Sequence, residues 1–318
     1  MNNIFANAAF SNNLFVIVKE KYMNIDDYIN SVPQWGNAGS ICYEPLSGGY
    51  SNHVYKVFVD GETWVLRVNG TQNEILGLDY REEEKVQTLA FYAGIAPEVV
   101  NCGEQRKILV TRFVEGNIVS IEQLKQHETI KSVILLLKKV HTLSYSGKRY
   151  STPFSLTRDY LIGAKNLGIC WASRLKPFLD KMNRIEKIRE RDPGFMKHYC
   201  HNDMFNHNMI QGSDGKIKLL DWELSGLGDI WFDLATLSFS CDFDVQTEEF
   251  MLMTYFDKSN ENLLQTLHSI KFVCMLREIG WALLHTALNK QLPVPDNDYL
   301  DFADSVFARL EQGLLSLV

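Results

Sequence analysis

Short runs of alternating apolar and polar residues open the patterned part of the chain. "ICYEPLSGGYSNHVYKVFVDGETWVLRV" (41–68) reads as a strand, a Gly-Gly turn, a second strand, a turn at Asp60-Gly61 and a third strand ending near Val68. A period of two sends alternate side chains to opposite faces of a sheet, which is why this spacing predicts strands. The period then changes. In "YREEEKVQTLAFYAG", Val86, Leu89, Ala90 and Ala93 share one helical face and Gly94 is the stop. "KILVTRFVEG" returns to strand and runs into a turn at Glu115-Gly116.

From Ser120 onward the spacing is mostly helical. Ser120 and Gln123 form a capping box that opens a helix running to about His141. "WASRLKPFLDKMNRIEKIRE" keeps Leu175, Phe178, Leu179, Met182 and Ile185 on one face. An island of short strands follows, holding "HNDMFNHN" (201–208), the turn "QGSDG" and the strand "KIKLL", and then three or four helices to the end. The pattern predicts an α+β chain. A small β-rich N-terminal lobe takes 40–116, a connector lies near 113–120, and a larger, mostly helical lobe takes 117–318. Residues 1–39 carry short helical patterns such as "IDDYINSV", broken by Pro33 and Gly36, and read as a lead-in arm.

Composition narrows the classes. With 318 residues, 46% of them hydrophobic, the chain can bury a sizeable core, and two lobes are the natural expectation. The net charge of -7 argues against binding to nucleic acid, which needs clustered Lys and Arg on phosphates. Apolar runs such as "SVILLL" (132–137) are far short of a membrane span, and the N-terminus has no basic region ahead of its short apolar piece. Six cysteines without a CxxC pair or metal-ligand spacing fit reduced thiols, so the expected location is cytoplasmic.

The polar segment at 201–208 carries the chemistry. His201-x-Asp203-x4-Asn208 has the spacing of a kinase catalytic loop, in which the Asp accepts the hydroxyl proton and the Asn holds Mg²⁺. Asp221, in "LLDWE", ends the next strand, so a tight hairpin would bring Asn208 and Asp221 side by side on one ion. A polar loop produces HxD for no chemical reason, whereas HxDx4N followed by a hairpin and an apolar-flanked Asp is a much more specific pattern.

Upstream residues fit the same machine. Ser47, Gly48, Gly49, Ser51 and Asn52 lie between two strands, where Gly backbone N–H groups would approach the phosphates of ATP, although a plain hairpin turn has the same look. Arg67 is a cation in a strand pattern, either an edge residue facing water or the phosphate-binding charge. Glu83 shares the apolar face of its helix and can pair with Arg67, while Glu82 and Glu84 read as solvated, and the choice among the three stays open. Arg112, Phe113 and Val114 would offer backbone groups to adenine.

These residues resemble the choline/ethanolamine kinases and their aminoglycoside-phosphotransferase-like relatives, over about residues 40–290. The carriers are "GGYSN", "WVLRVNG", "GIAPEVV", "TRFVEG", "HNDMFNHN", "LLDWELSGLGDIWFDLATLSF" and "LREIGWALLH". Arg67 with Gly70, and "DWE…GD…FDLA", resemble the bacterial choline-kinase branch. The resemblance implies a bilobal protein-kinase-like fold, ATP and Mg²⁺ as cofactors, and Asp233 as a structural brace of the catalytic loop. It also implies a small alcohol such as choline as the acceptor, and it leaves a homodimer open.

A quaternary ammonium acceptor needs aromatic faces and acidic groups, and the candidates are Glu223, Trp231, Asp242 and Trp281. There are departures from the family's pattern. Leu224 stands where an aromatic often follows the Glu, and Ser240 where an acid is expected, with Asp242 two residues on. Thiamine, aminoglycoside or sugar acceptors therefore stay open. A protein kinase is excluded by the short Asp221–Asp233 interval, which has no room for an activation segment. A nucleotide-binding pseudokinase scaffold needs no base, and Asp203, Asn208 and Asp221 standing together argue against it.

Overall fold

The computed structural model describes residues 24–46, 52–70, 78, 80–101, 108–144, 150–289 and 299–315. These residues form two compact units. The first takes the described residues up to Thr88 together with Pro97–Val114, and the second takes Leu89–Ala96 together with the described residues from Glu115 onward.

The first unit is built on an antiparallel sheet in the order β1-β2-β3-β5-β4, from β1 (Ile41–Leu46), β2 (Asn52–Val59), β3 (Glu62–Asn69), β4 (Val99–Asn101) and β5 (Ile108–Arg112). The β2–β3 connection is the expected two-residue turn. Asp60 and Gly61 both have positive φ, 49° and 85°, the backbone that a primed hairpin turn requires. On β3, Trp64, Leu66 and Val68 alternate onto one face and pack with Val57, Ile108 and Val110. Ile29, Val32 and Trp35 join that same core. The described part of the lead-in arm, 24–39, is thus packed on the sheet. Its helix Ile25–Asn30 is fixed by an Asn24/Asp27 capping box.

The helix Tyr80–Tyr92 closes with Gly94 at φ 75°. The Gly94 N–H donates to Phe91 O and the Ile95 N–H to Ala90 O, the two bonds of a Schellman cap. Its buried face is Glu83, Val86, Gln87 and Ala90. Leu89, expected on that face, is 37% exposed, because the stripe is centred one residue away from the sequence reading.

The second unit is mainly helical, with two small sheets among the described residues. β6 (Gly116–Ile118), β8 (Met209–Gly212) and β9 (Ile217–Leu219) form one, and β7 (His198–Cys200) and β10 (Gly226–Gly228) the other. The expected Glu115-Gly116 turn is instead the start of a strand. A Cβ at Gly116 would lie 2.1 Å from the Gln211 carbonyl, so only glycine allows β6 to approach β8 there.

The expected long helix from Ser120 to His141 is two helices. The Ser120/Gln123 box caps only Ile121–Leu124, and Gln126, with extended backbone, restarts the chain at His127–Val140. The 29-residue helix Glu261–Asn289 packs on Pro153–Asn166. A Cβ at Gly280 would sit 3.2 Å from Tyr160 Cβ, and one at Gly163 would sit 3.0 Å from Leu284 Cδ1. Glycines on both helices therefore set a close crossing. No helix among the described residues is long and apolar enough to cross a membrane.

Candidate functional site

In the first unit, Arg67 is not an edge cation. β3 lies between β2 and β5, and Arg67 points away from the Trp64–Leu66–Val68 face. It is 7% exposed, and its Nη2 lies 2.5 Å from Glu83 Oε2. Its Nε–H donates to Asn69 Oδ1 at 3.0 Å. Glu83 is thus the partner, as its helical face suggests. Nearby, Asn52 Oδ1 accepts from the Gly70 N–H at 3.2 Å. Ser47, Gly48, Gly49 and Ser51 lie outside the described residues.

Two of the backbone groups expected to face adenine are already used. The Arg112 N–H donates to Glu98 O at 3.0 Å, and the Phe113 N–H to Thr63 O at 3.2 Å. These bonds finish the sheet edge and leave the N–H of Val114 as the donor of that segment. The Arg112 side chain turns to Glu62 and stacks on Trp64.

The 201–208 loop of the second unit is fixed from beneath. Asp233 is fully buried in the first turn of helix Ile230–Ser240 and accepts three donors. The Asn202 N–H reaches its Oδ1 at 2.6 Å, the His201 N–H its Oδ2 at 2.9 Å, and the His141 Nε2–H the same Oδ2 at 3.0 Å. His141 Nδ1 in turn accepts from the Tyr255 hydroxyl at 2.6 Å. The helix holding Asp233 is itself capped by Asp229, which takes a two-bond fork from Arg189 at 2.9 and 3.1 Å. Burial pushes the Asp229 carboxyl up despite that partner.

His201 ties the loop to the neighbouring strand end. Its Nε2–H donates to Leu220 O at 2.9 Å and its ring meets Trp222 edge-on. Burial pushes its pKa down, so a neutral ring is held there. Asn202 adopts φ 66°, which lets its side chain donate to Leu224 O. Asp203 follows with its side chain 17% exposed. Its Oδ2 accepts from Asn208 Nδ2 at 2.7 Å, and its Oδ1 lies 3.6 Å from Arg277 Nη1.

The β8–β9 hairpin delivers the second carboxylate. Met209 pairs with Leu219, and the Leu220 N–H donates to Asn208 O at 2.9 Å. Asp221 is therefore one residue beyond the position opposite Asn208, and its backbone is left-handed at φ 58°. A non-glycine residue held in that region marks a site where the surroundings over-determine the backbone. Asn208 and Asp221 fit Mg²⁺, since they offer hard oxygen donors on paired strand ends. With Asn208 Nδ2 spent on Asp203, its Oδ1 is the atom left as a ligand.

A second candidate cation group does not fit. Ligand atoms of His141, Cys200 and Asp233 lie within 4.8 Å of one another and are buried. However, the Asp233 oxygens are taken by three N–H donors, and burial pushes the Cys200 thiol well up, away from the thiolate that a metal needs.

The four acceptor candidates have different surroundings. Trp281 stands in an aromatic group with His285, Tyr299 and Phe302, at ring distances of 4.4, 5.3 and 6.4 Å. Trp231 is in the hydrophobic interior, stacked on Phe256 with the Arg189 guanidinium over its ring, because it begins a helix that is buried all round. Asp242 is 82% exposed at its side chain and pairs with Arg309. Glu223 is half-buried beside Trp222.

Two charged residues next to Asp203 escape sequence reasoning, Arg277 and Glu278. The signal was present: Arg277 and Trp281 are spaced i, i+4, so they share one helical face, one turn apart.

Known proteins resemble this chain in sequence and fold. Protein LicA of Haemophilus influenzae is 25% identical over 217 residues, covering 67% of this chain and 62% of the relative, so the chain spans less than two thirds of that protein's length. A choline/ethanolamine kinase family protein from Mesorhizobium loti superposes with a TM-score of 0.73 at 22% identity, over 91% of this chain and 94% of that one. The choline kinase LicA of Streptococcus pneumoniae superposes with a TM-score of 0.72 at 22% identity, over 92% and 98%. These likenesses show a shared kinase-like fold. The profile of the phosphotransferase enzyme family matches residues 43–259, which include Arg67, the 201–208 loop, Asp221 and Asp233. By that match, across more than half of its length, the chain belongs to the phosphotransferase enzyme family.

Proposed function

We propose that the chain is a kinase that transfers the γ-phosphoryl group of ATP to the hydroxyl of choline or a close amino alcohol. The observation that carries this reading is Asp203, a partly open carboxylate on a braced loop, 3.6 Å from Arg277, which stands one helical turn before Trp281. In the reaction Asp203 accepts the acceptor's hydroxyl proton. The alcohol oxygen then bonds to the γ-phosphorus, and the bond to the departing ADP oxygen breaks with its electron pair staying on ADP. Asn208 and Asp221 would hold Mg²⁺, and a bound ion there would supply positive charge against the phosphate oxygens. Arg67, kept in place by Glu83, is the phosphate-binding cation of the first unit. Trp281 offers its face to the acceptor's ammonium group. Such an ATP-consuming enzyme of small metabolites works in the cytoplasm.

One observation favours a second reading within the same chemistry. Trp231 is buried on Phe256 and Asp242 is paired with Arg309, so the acceptor has fewer contacts than a full aromatic and acidic cage would give it. An alcohol other than choline fits that sparser site. The test is phosphorylation of choline, ethanolamine, thiamine, a sugar and kanamycin side by side from labelled ATP. Turnover highest on choline or ethanolamine supports the first reading. Turnover highest on another alcohol supports the second, and none on any alcohol overturns both.

A further inference from the structure

Helix Glu261–Asn289 sends a charged pair toward the catalytic loop. Arg277 is 2% exposed and Glu278 is buried beside it, with Arg277 Nη2 2.7 Å from Glu278 Oε1. That contact is an ion pair without hydrogen-bond alignment, and Arg277 Nε has no hydrogen-bond partner among the described residues. Buried charge this poorly satisfied costs stability, and apolar residues of like size usually replace such pairs at no loss. Its place against Asp203 gives it another use.

We propose that Arg277 and Glu278 form a charge-balanced clamp that orients Asp203, with Arg277 as a positioning residue acting through that carboxylate. The clamp rests on the phosphotransfer reading above. Its geometry has three parts. Asn208 Nδ2 is bonded to Oδ2 of Asp203 while Arg277 Nη1 stands 3.6 Å from Oδ1. The two oxygens are therefore unequal, and the carboxylate cannot turn over without loss. At 3.6 Å the arginine attracts Oδ1 without bonding to it, so a lone pair stays open for an acceptor hydroxyl.

A lone guanidinium at that place would be a buried charge without a counter-charge. Glu278, in contact with the same guanidinium, offsets that charge, and its own carboxyl is pushed up to about 7 by burial against the opposing pull of Arg277. The arginine itself is fixed from two sides, lying over the rings of Phe205 and Phe232 at 5.7 and 5.4 Å. Gly280, one turn on, sets the helix crossing that brings it there.

The test is the double substitution Arg277→Met with Glu278→Gln, which removes both charges and strands neither. The melting temperature should stay within the roughly 2–4 °C that 1 kcal/mol moves. The kcat should fall about 10²-fold, the scale of a misplaced catalytic group, with KM for ATP within about twofold of wild type. In an Asp203→Asn background the same pair of changes should cost no more, because their effect passes through Asp203. An unchanged kcat in an active enzyme, an equal further loss on top of Asp203→Asn, or a melting temperature that collapses with kcat overturns the clamp alone. A wild type that phosphorylates no alcohol overturns the clamp together with the reading it rests on.

Discussion

Asp203 and Asp233 belong to the same unit and serve the same loop, yet they are held in opposite ways. Asp233 has no exposure and takes three N–H donors, so both of its oxygens are in use. Asp203 is partly open, takes one amide, and faces a buried arginine too far away for a hydrogen bond. Two histidines repeat the contrast. His141 has both ring nitrogens bonded, whereas Nε2 of the buried His285, beside Trp281, has no hydrogen-bond partner among the described residues. The paired carboxylate builds the frame, and the under-satisfied one keeps an oxygen that a ligand would complete.

Breaking the frame should have the largest effect on stability. Asp233→Asn keeps one acceptor oxygen for the His201 and His141 donors and turns the other into an NH₂ that opposes the Asn202 N–H. Orphaning that buried donor at about 1–3 kcal/mol predicts a loss of roughly 2 kcal/mol, or about 4–8 °C in melting temperature. Calorimetry that finds Asp233→Asn as stable as wild type would remove the brace from the account.

The histidine pair sharpens the comparison through pH. Burial pushes the His285 pKa from 6.5 down to about 4. Its folded value is depressed, so the unfolded chain binds the proton more tightly between those values. The stability it contributes is complete above about pH 6.5 and is lost as pH falls toward 4. The shift is worth up to about 3 kcal/mol across that window. Melting temperatures from pH 7 to 4 should therefore fall less steeply for His285→Gln than for wild type, and parallel slopes would contradict the assignment.

The smallest effect is expected at the aromatic group. Trp281→Leu keeps apolar bulk and should raise KM for choline by about 2- to 30-fold, equivalent to roughly 0.5–2 kcal/mol, with KM for ATP unchanged. A rise in both that follows a lower melting temperature would make Trp281 a packing residue.

Local spacing made much of this legible. The Asp60-Gly61 turn, the Gly94 stop and the hairpin bringing Asn208 toward Asp221 all depend on residues near one another in the chain. The helical face favoured Glu83 as the partner of Arg67, and the fold decided it against Glu82 and Glu84. What the spacing hid depends on contacts between distant segments. Gly116 looks like a turn residue until β8 lies against it, and the Phe113 N–H looks available until Thr63 accepts it. Trp231 reads as a cage residue until its helix proves buried all round. Arg277 lies on an apolar helix far from the loop in sequence, and only the fold places it at Asp203.

The most direct test sets Asp203→Asn beside Asp233→Asn, with kcat for the preferred acceptor and the melting temperature measured on both. The account predicts that Asp203→Asn folds as wild type does and loses about 10²- to 10⁴-fold in kcat, the usual worth of a general base. It predicts that Asp233→Asn shows the stability loss. Retention of wild-type kcat by a folded Asp203→Asn would contradict the account.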